Sequence, residues 1–178
     1  MSKTQRAFTL KPLDNGVAVL EINVPNDAQN TLKAEFADDF NSAFAAIEKA
    51  KPKALVLYST KAGSFMAGAD IKLFESAKTA KEVSDLSTQC QQTFQKLEDL
   101  DIPVVAAIKG ACLGGGMELA LACSYRIAAS SSDTVLGLPE VMLGLLPAGG
   151  GTQRMPRQVG IATALDLMLT GRQLKAKP

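Results

Sequence analysis

The feature that most constrains the fold is an alternation of two kinds of apolar segment along the chain. Residues 54–58 and 103–108 form unbroken apolar runs, which are typical of strands covered on both faces. Residues 33–50 and 79–97 instead carry apolar side chains at three- and four-residue intervals, which predicts amphipathic helices. Strands of this kind alternating with helices predict an α/β fold with parallel strand pairing.

Weaker signals fill in further elements. Thr79 and Glu82 have the spacing of a capping box at the start of the second helix. Residues 61–69 are rich in glycine and alanine and are predicted to form a loop. The remaining predictions are strands over residues 17–24 and 125–129, a short helix at 116–122, and a helix at 161–169.

The length indicates one domain. With 178 residues, 47% of them hydrophobic and 21% charged, the composition is ordinary for a globular protein that buries a core. We expect one domain over residues 1–178. Because the sequence stops at residues 175–178 without a closing element, we further expect that domain to be truncated at its C-terminal end.

Charge and hydropathy argue against several classes of partner. The net charge of +1 gives no reason to expect a nucleic acid or an anionic membrane surface. The longest uncharged stretch, residues 141–153, is too short and too rich in glycine to span a bilayer. The first residues lead into no apolar signal region. A cytoplasmic location is therefore the expectation.

The chain contains no histidine, so the usual general base near neutral pH is absent. Acid–base chemistry would fall to carboxylates, lysines, tyrosines or cysteines. Cys90, Cys112 and Cys123 lack both a Cys-x-x-Cys spacing and a histidine that could complete a zinc site or activate a thiolate. We interpret them as small buried residues and expect no metal.

Two glutamates stand out against this background. Glu118 follows the glycines of residues 114–116 and a methionine, and Glu140 follows Gly137-Leu-Pro. Apolar neighbours around a carboxyl raise its pKa and favour proton exchange near neutral pH. The glycines allow close backbone approach and leave N–H groups free to face an anion. The pattern predicts a backbone anion site beside two carboxyls, which suits an enolate.

Other interpretations of these residues remain. The glycines could form a purely structural turn, and Glu118 could be a solvated charge on a helix face. Nucleotide binding is disfavoured, because Leu119 stands where Gly-x-Gly-x-x-Gly needs its last glycine and no Gly-Lys-Ser/Thr occurs. Asp70 is predicted chiefly as a helix cap. Lys72 could face solvent or meet a phosphate.

Three blocks of this sequence resemble a known family. Residues 65–72, 103–120 and 137–154 resemble the crotonase (enoyl-CoA hydratase/isomerase) superfamily, and they occur in the order found there. The match extends from about Val17 to the end of the chain. Residues 30–36 and 169–176 are most similar to the hydratase part of the bacterial multifunctional subunits of fatty-acid oxidation.

The resemblance implies roles for individual residues. Ala69 and Gly115 fall on the positions that donate the two oxyanion N–H groups, and Glu118 and Glu140 fall on the hydratase pair. The segment that lines the coenzyme A channel corresponds to Met66, Ala67, Gly68, Ala69, Asp70, Ile71 and Lys72. At Ala148 the chain departs from the glycine of many members, but alanine keeps the N–H group.

The resemblance also implies a fold and an activity. The fold would be the crotonase spiral of β-β-α turns, with the C-terminal helices of the family missing from this chain. The activity would be syn-hydration of trans-2-enoyl-CoA to 3-hydroxyacyl-CoA, with 3-enoyl-CoA isomerisation open to the same carboxyls. Coenzyme A would enter as part of the substrate, without a metal or redox cofactor. NAD is expected only for a dehydrogenase portion that this chain lacks.

The sequence also bears on the assembly of this protein and on alternative functions. The resemblance implies a homo-oligomer or a complex with a thiolase subunit. Another crotonase-type reaction would drop one glutamate, yet both are present. RNA binding would need a basic stripe with aromatics, which two tyrosines, no tryptophan and a charge of +1 do not offer. A structural role as an assembly module of a larger complex remains the third alternative.

Overall fold

A computed structural model describes residues 6–176. The strands are β1 (Phe8–Pro12), β2 (Val17–Ile22), β3 (Ala54–Ser59), β4 (Ser64–Met66), β5 (Val104–Ile108), β6 (Ala111–Leu113), β7 (Tyr125–Ala128), β8 (Val135–Gly137) and β9 (Leu174–Lys175). The helices are α1 (Phe36–Ala50), α2 (Ile71–Ser76), α3 (Ala80–Glu98), α4 (Gly115–Leu121), α5 (Gly151–Val159) and α6 (Ile161–Thr170), and a 3₁₀ turn spans Glu140–Leu143.

The strands form two sheets, in the orders β1-β2-β3-β5-β7 and β4-β6-β8-β9. Only β1 and β9 pair antiparallel to their neighbours, and the other described pairings are parallel. Along the chain, β3, β5 and β7 in the first sheet are each followed by a strand of the second sheet and then by helical structure. This repeat is the spiral of β-β-α turns, so the predicted α/β fold with parallel pairing is confirmed.

The core lies against one face of the first sheet. Leu20, Leu57 and Ala106 are paired neighbours on adjacent strands, and all three are fully buried. Helix α1 adds Phe40, which is also fully buried and meets the ring of Phe8 edge to face, with ring centroids 4.8 Å apart. Burying these apolar side chains is the main contribution to stability, at roughly 1.5–3 kcal/mol for each large one.

The opposite face of this sheet corrects one prediction. The apolar run at residues 54–58 was expected to be covered on both faces, but Tyr58 is 44% exposed. On the edge strand β7, which is separated from β3 by β5, Tyr125 and Ile127 are both 66% exposed. The prediction was wrong because an apolar run does not distinguish a strand buried on both faces from one with an apolar exposed face.

Other boundaries differ in smaller ways. The predicted loop over residues 61–69 contains β4, and α1 starts at Phe36 rather than at residue 33. The predicted cap of α3 is confirmed, since the Thr79 hydroxyl oxygen accepts the N–H of Glu82 at 3.2 Å. Across residues 6–176, none of the helices combines the length and the apolar character needed to span a membrane.

Candidate active site

A buried asparagine holds the segment that presents Ala69. Asn30 is fully buried, and its amide nitrogen donates to the carbonyl of Phe65 at 3.1 Å and to the hydroxyl of Ser59 at 2.9 Å. The backbone carbonyl of Asn30 also accepts the N–H of Ala67 at 2.8 Å. Because buried polar groups need such partners, this side chain fixes the path of the chain after β4.

The N–H of Ala69 faces away from that attachment. Leu32 forms a parallel bridge with Ala69 by donating to the carbonyl of Gly68 and accepting the N–H of Asp70, both at 2.9 Å. In a parallel bridge the bonds go to the residues on either side of the bridged one, so the Ala69 N–H points to the opposite side. Among the described residues that N–H has no acceptor.

A second N–H group lies beside it. Gly115 is the first residue of α4, where a helix offers its N–H no internal acceptor. A Cβ on Gly115 would lie 3.9 Å from the Ala69 nitrogen, so the two segments are in contact. The next glycine explains this close approach, because a Cβ on Gly116 would lie 2.1 Å from the carbonyl oxygen of Met66. Ala69 and Gly115 border the same cavity, and within residues 6–176 neither N–H has an acceptor, as an oxyanion site requires.

The first of the two predicted carboxyls lies on α4, deep in the fold. Glu118 is 3% exposed, and its Oε1 accepts the N–H of Gly149 at 2.8 Å and of Gly151 at 2.7 Å. Burial raises the pKa of this carboxyl, while the two backbone N–H groups and the charge of Arg154 act to lower it. Donors fixed on one oxygen orient the carboxyl group.

The second predicted carboxyl, that of Glu140, has one oxygen that accepts no hydrogen bond from the described residues. Glu140 begins the 3₁₀ turn, and its Oε2 is buried without a hydrogen-bond partner among the described residues. Burial raises the pKa of Glu140 to about 7, and the nearby charge of Glu118 adds to that rise. Its other oxygen would lie 3.2 Å from a Cβ on Gly114, directly beside the start of α4.

The raised pKa of Glu140 predicts how stability changes with pH. In the unfolded chain the carboxyl ionises near its ordinary value of 4.5, but the folded protein resists ionisation up to about 7. The folded state therefore binds more protons in this window, and stability falls as pH rises from about 4.5 through 7. Glu140→Gln removes the charge, so we expect it to gain up to about 3 kcal/mol relative to wild type at pH 8 compared with pH 4.5.

Urea unfolding of both proteins at the two pH values measures this difference. Glu75→Gln, at an exposed glutamate of α2, is the matched control, and no pH-dependent gain is expected for it. An equal difference between Glu140→Gln and wild type at pH 4.5 and pH 8 would contradict the prediction.

Both carboxyls and both N–H positions border one cavity of about 660 Å³. Its wall is mainly apolar with a few polar groups at one place, which is the usual character of a small-molecule site. The apolar wall comes from α1, α3, the end of the 3₁₀ turn and the segment after it. It includes Phe36, Ala37, Val83, Leu86, Cys90, Leu143, Leu145 and Leu146.

Only part of the segment predicted to line a coenzyme A channel borders the cavity. Residues 67–69 and Ile71 border the cavity. Met66 is fully buried in the core, where its carbonyl lies against α4. Asp70 has the predicted capping role, since its Oδ1 accepts the N–H of Lys72 at 3.1 Å. The side chain of Lys72 is exposed.

The cysteines differ in their surroundings. Cys112 and Cys123 are buried in the core, as predicted, whereas Cys90 is half-buried and borders the cavity. Burial raises the pKa of all three thiols. Within residues 6–176, no group of three or more His, Cys, Asp or Glu side chains is arranged to hold a metal ion.

Sequence reasoning missed the groups that hold Glu118. The N–H donors come from Gly149 and Gly151, for which the sequence predicted no role of their own. The polar contacts of Asn30 were missed too. A run of three glycines at residues 149–151 was the available signal, because such a run can turn several N–H groups toward one anion.

Comparison with known proteins places this chain in a family. Residues 13–178 match the family model described as enoyl-CoA hydratase/isomerase. The chain belongs to the enoyl-CoA hydratase/isomerase family. The fold is accordingly crotonase-like, and solved enoyl-CoA hydratases resemble it. That of Bacillus anthracis has a TM-score of 0.86 and 34% identity, with 96% of this chain and 65% of that chain covered. That of Thermoplasma volcanium has a TM-score of 0.89 and 27% identity, with 99% and 68% covered.

Two curated relatives are more similar in sequence. The fatty acid oxidation complex subunit alpha of Shewanella loihica is 56% identical over 173 residues, which are 97% of this chain and 24% of that protein. The subunit alpha of Vibrio campbellii is 53% identical over 174 residues, which are 97% and 25%. The chain thus spans about a quarter of the length of these relatives.

Proposed function

We propose that this chain carries the site for syn-hydration of trans-2-enoyl-CoA to 3-hydroxyacyl-CoA, a step of fatty-acid β-oxidation. The observation that carries the proposal is that the buried carboxyl of Glu118, the half-buried carboxyl of Glu140 and two N–H groups without an acceptor among the described residues all border one cavity. The names of the relatives, which refer to fatty acid oxidation, support the same reaction.

The N–H groups of Ala69 and Gly115 would stabilise the thioester oxygen. As water attacks C3, negative charge moves through C2 to that oxygen, and fixed donors in a water-poor cavity stabilise such charge strongly. One donor of this kind is typically worth ~2.7–4 kcal/mol of transition-state free energy. The donors are backbone groups held by a strand bridge and a helix start, so they need little reorganisation.

The two carboxyls would divide the proton transfers. Burial raises the pKa of Glu118, and the two N–H donors on its Oε1 act in the opposite direction. The carboxylate that these donors orient would accept a proton from water. Glu140, with a pKa of about 7, keeps a proton in a large fraction of molecules at neutral pH and can deliver it to C2. The two groups interact, so their titration belongs to the pair. Moving a proton between C2 and C4 would isomerise a 3-enoyl-CoA with the same groups.

Coenzyme A takes part in this proposal only as a portion of the substrate. Neither a metal nor a redox cofactor has a role in the proposed step, since the carboxyls and N–H groups supply the acid, the base and the charge stabilisation. The relatives' name describes a complex, which supports assembly with a further subunit, and we propose a thiolase. Coupling to an NAD-dependent 3-hydroxyacyl-CoA dehydrogenase would then consume the product.

A hydration assay tests the proposal directly. The full-length protein is mixed with a short trans-2-enoyl-CoA, and loss of the conjugated double bond is followed by absorbance. Mass spectrometry of the product should show the gain of one water molecule, at a rate proportional to protein concentration. Tight binding of the acyl-CoA without turnover would contradict the proposed function and favour the role of an assembly module.

A further inference from the structure

The loop of residues 148–151, which donates hydrogen bonds to Glu118, is also hydrogen-bonded to side chains of α3. The carbonyl of Ala148 accepts the Ser87 hydroxyl at 2.9 Å and the Gln91 side-chain amide at 2.8 Å. The carbonyl of Gly149 accepts a guanidinium N–H of Arg154 at 3.2 Å. Three side-chain donors therefore converge on two consecutive carbonyls of this loop.

Arg154 is anchored in turn at the C-terminal half of α3. Its Nε and one terminal nitrogen donate to Oε2 of Glu98 at 2.9 and 2.7 Å, and that terminal nitrogen also donates to Gln95 at 3.2 Å. The arginine side chain is only 12% exposed, whereas the side chain of its partner Glu98 is 46% exposed. A planar guanidinium with several partners holds a fixed direction better than a flexible ammonium does.

The geometry of the peptide bond connects these contacts to Glu118. The carbonyl of Ala148 and the N–H of Gly149 belong to one planar trans peptide group, in which C=O and N–H point in opposite directions. When Ser87 and Gln91 hold that carbonyl toward α3, the N–H is directed to the other side, where it meets Oε1 of Glu118. The next peptide group consists of the carbonyl of Gly149, which Arg154 holds, and the N–H of Gly150. The peptide group after it contains the N–H of Gly151, which donates to Glu118.

We propose that Arg154, together with Ser87 and Gln91, acts as a positioning device for Glu118 by fixing the peptide groups that orient its carboxylate. The inference rests on the proposed function, in which Glu118 accepts a proton from water. None of the three side chains is assigned contact with the reacting atoms, so they are positioning residues. Helix α3, which also borders the cavity, thereby connects the substrate wall with the acid–base group.

Arg154 also contributes its charge. The ionisable groups that face Glu118 are Glu140 from the 3₁₀ turn, Cys90 from α3 and Arg154 from α5. Of these, only Arg154 favours the ionised carboxylate of Glu118, since it supplies the positive charge. Removal of the Arg154 side chain should therefore loosen the loop and also raise the pKa of Glu118 further. A change that only loosens the loop should mainly affect the orientation of the Glu118 carboxylate.

The test compares Arg154→Gln with wild type in the full-length protein. We expect kcat for hydration to fall roughly tenfold to thirtyfold with KM within threefold, the pattern of an interaction made in the transition state. The acidic limb of the pH profile of kcat/KM should move to higher pH. Titration of the Glu118 side-chain carboxyl by ¹³C NMR should show the same upward shift. Arg157→Gln on the exposed side of α5 is the matched control. It should leave kcat, the pH profile of kcat/KM and the titration of Glu118 unchanged.

Two further variants separate positioning from folding. Arg154→Lys keeps the charge and loses the planar fork, so it should reduce kcat by a smaller factor and leave the acidic limb near that of wild type. The double variant Ser87→Ala/Gln91→Leu keeps every charge and should lower kcat severalfold. If Arg154→Gln does not fold, these two variants carry the test, with circular dichroism giving the folded fraction.

The proposal is overturned if kcat per folded molecule and the pH profile remain those of wild type in the folded variants. It is also overturned if the Glu118 titration is unchanged in Arg154→Gln. Absence of hydration in the wild-type protein is a different result, because it removes the proposed function. The NMR titration would still show in that case whether Arg154 controls the ionisation of Glu118.

Discussion

Replacing Glu118 or Glu140 by glutamine should reduce enoyl-CoA hydration by ~10²–10⁴-fold, the usual contribution of a general acid or base. Glutamine keeps the shape of the side chain but neither accepts nor delivers the proton. The sequence contains no histidine that could replace either carboxyl. Steady-state kinetics give the activity, and calorimetric titration with a non-reactive acyl-CoA should show binding close to that of wild type.

The comparison needs a glutamate variant that does not touch the cavity. Glu75→Gln on α2 removes an exposed carboxyl and should retain full activity. If either Glu118→Gln or Glu140→Gln kept more than about a tenth of the wild-type kcat, that residue's role in proton transfer would be untenable.

The second large effect concerns the proposed oxyanion site. For Gly115→Ala we expect kcat to fall by ~10²–10³-fold with a modest change in KM, equivalent to the loss of one donor to the thioester oxygen. The new Cβ would stand 2.5 Å from a terminal carbon of Leu32 and 3.9 Å from the nitrogen of Ala69. Relief of this contact requires movement of the Leu32 side chain or of Gly115, and movement of Gly115 would displace its N–H from the thioester oxygen.

Glycine controls separate this effect from general instability. Gly63→Ala is matched in chemistry, and a Cβ there would meet nothing within 4 Å, so activity should be unchanged. Gly116→Ala is unsuitable, because its Cβ would press on the backbone of Met66 and disrupt the packing of α4. Wild-type kcat in a folded Gly115→Ala protein would return Gly115 to a purely structural role.

Local chemistry in the sequence predicted much of the site. The apolar neighbours of Glu118 predicted a carboxyl with little water around it, and the structure shows this residue buried rather than solvated on a helix face. The glycines before it predicted close backbone approach, and the space between Gly116 and Met66 shows why no side chain fits there. These signals are local, since they depend on residue type and immediate neighbours.

Contacts between distant segments could not be predicted in this way. The N–H donors to Glu118 lie 31 and 33 residues further along the chain, and the contacts from α3 to their loop span about sixty residues. The three-residue strands β4, β6 and β8 were missed because a strand this short has no periodicity of its own. Their existence depends on pairing with one another, which the two-sheet spiral provides.

The half-buried thiol of Cys90 has a consequence for chemical selectivity. An enoyl thioester is electrophilic at C3, the carbon that water attacks in the proposed reaction, and sulfur nucleophiles add readily to such carbons. Cys90 borders the same cavity, but burial and the charge of Glu118 raise its pKa to about 12. At neutral pH the thiolate, which is the reactive form, is then only on the order of 10⁻⁵ of the thiol. The cavity can thus keep a cysteine beside a carbon electrophile and still direct oxygen rather than sulfur to it.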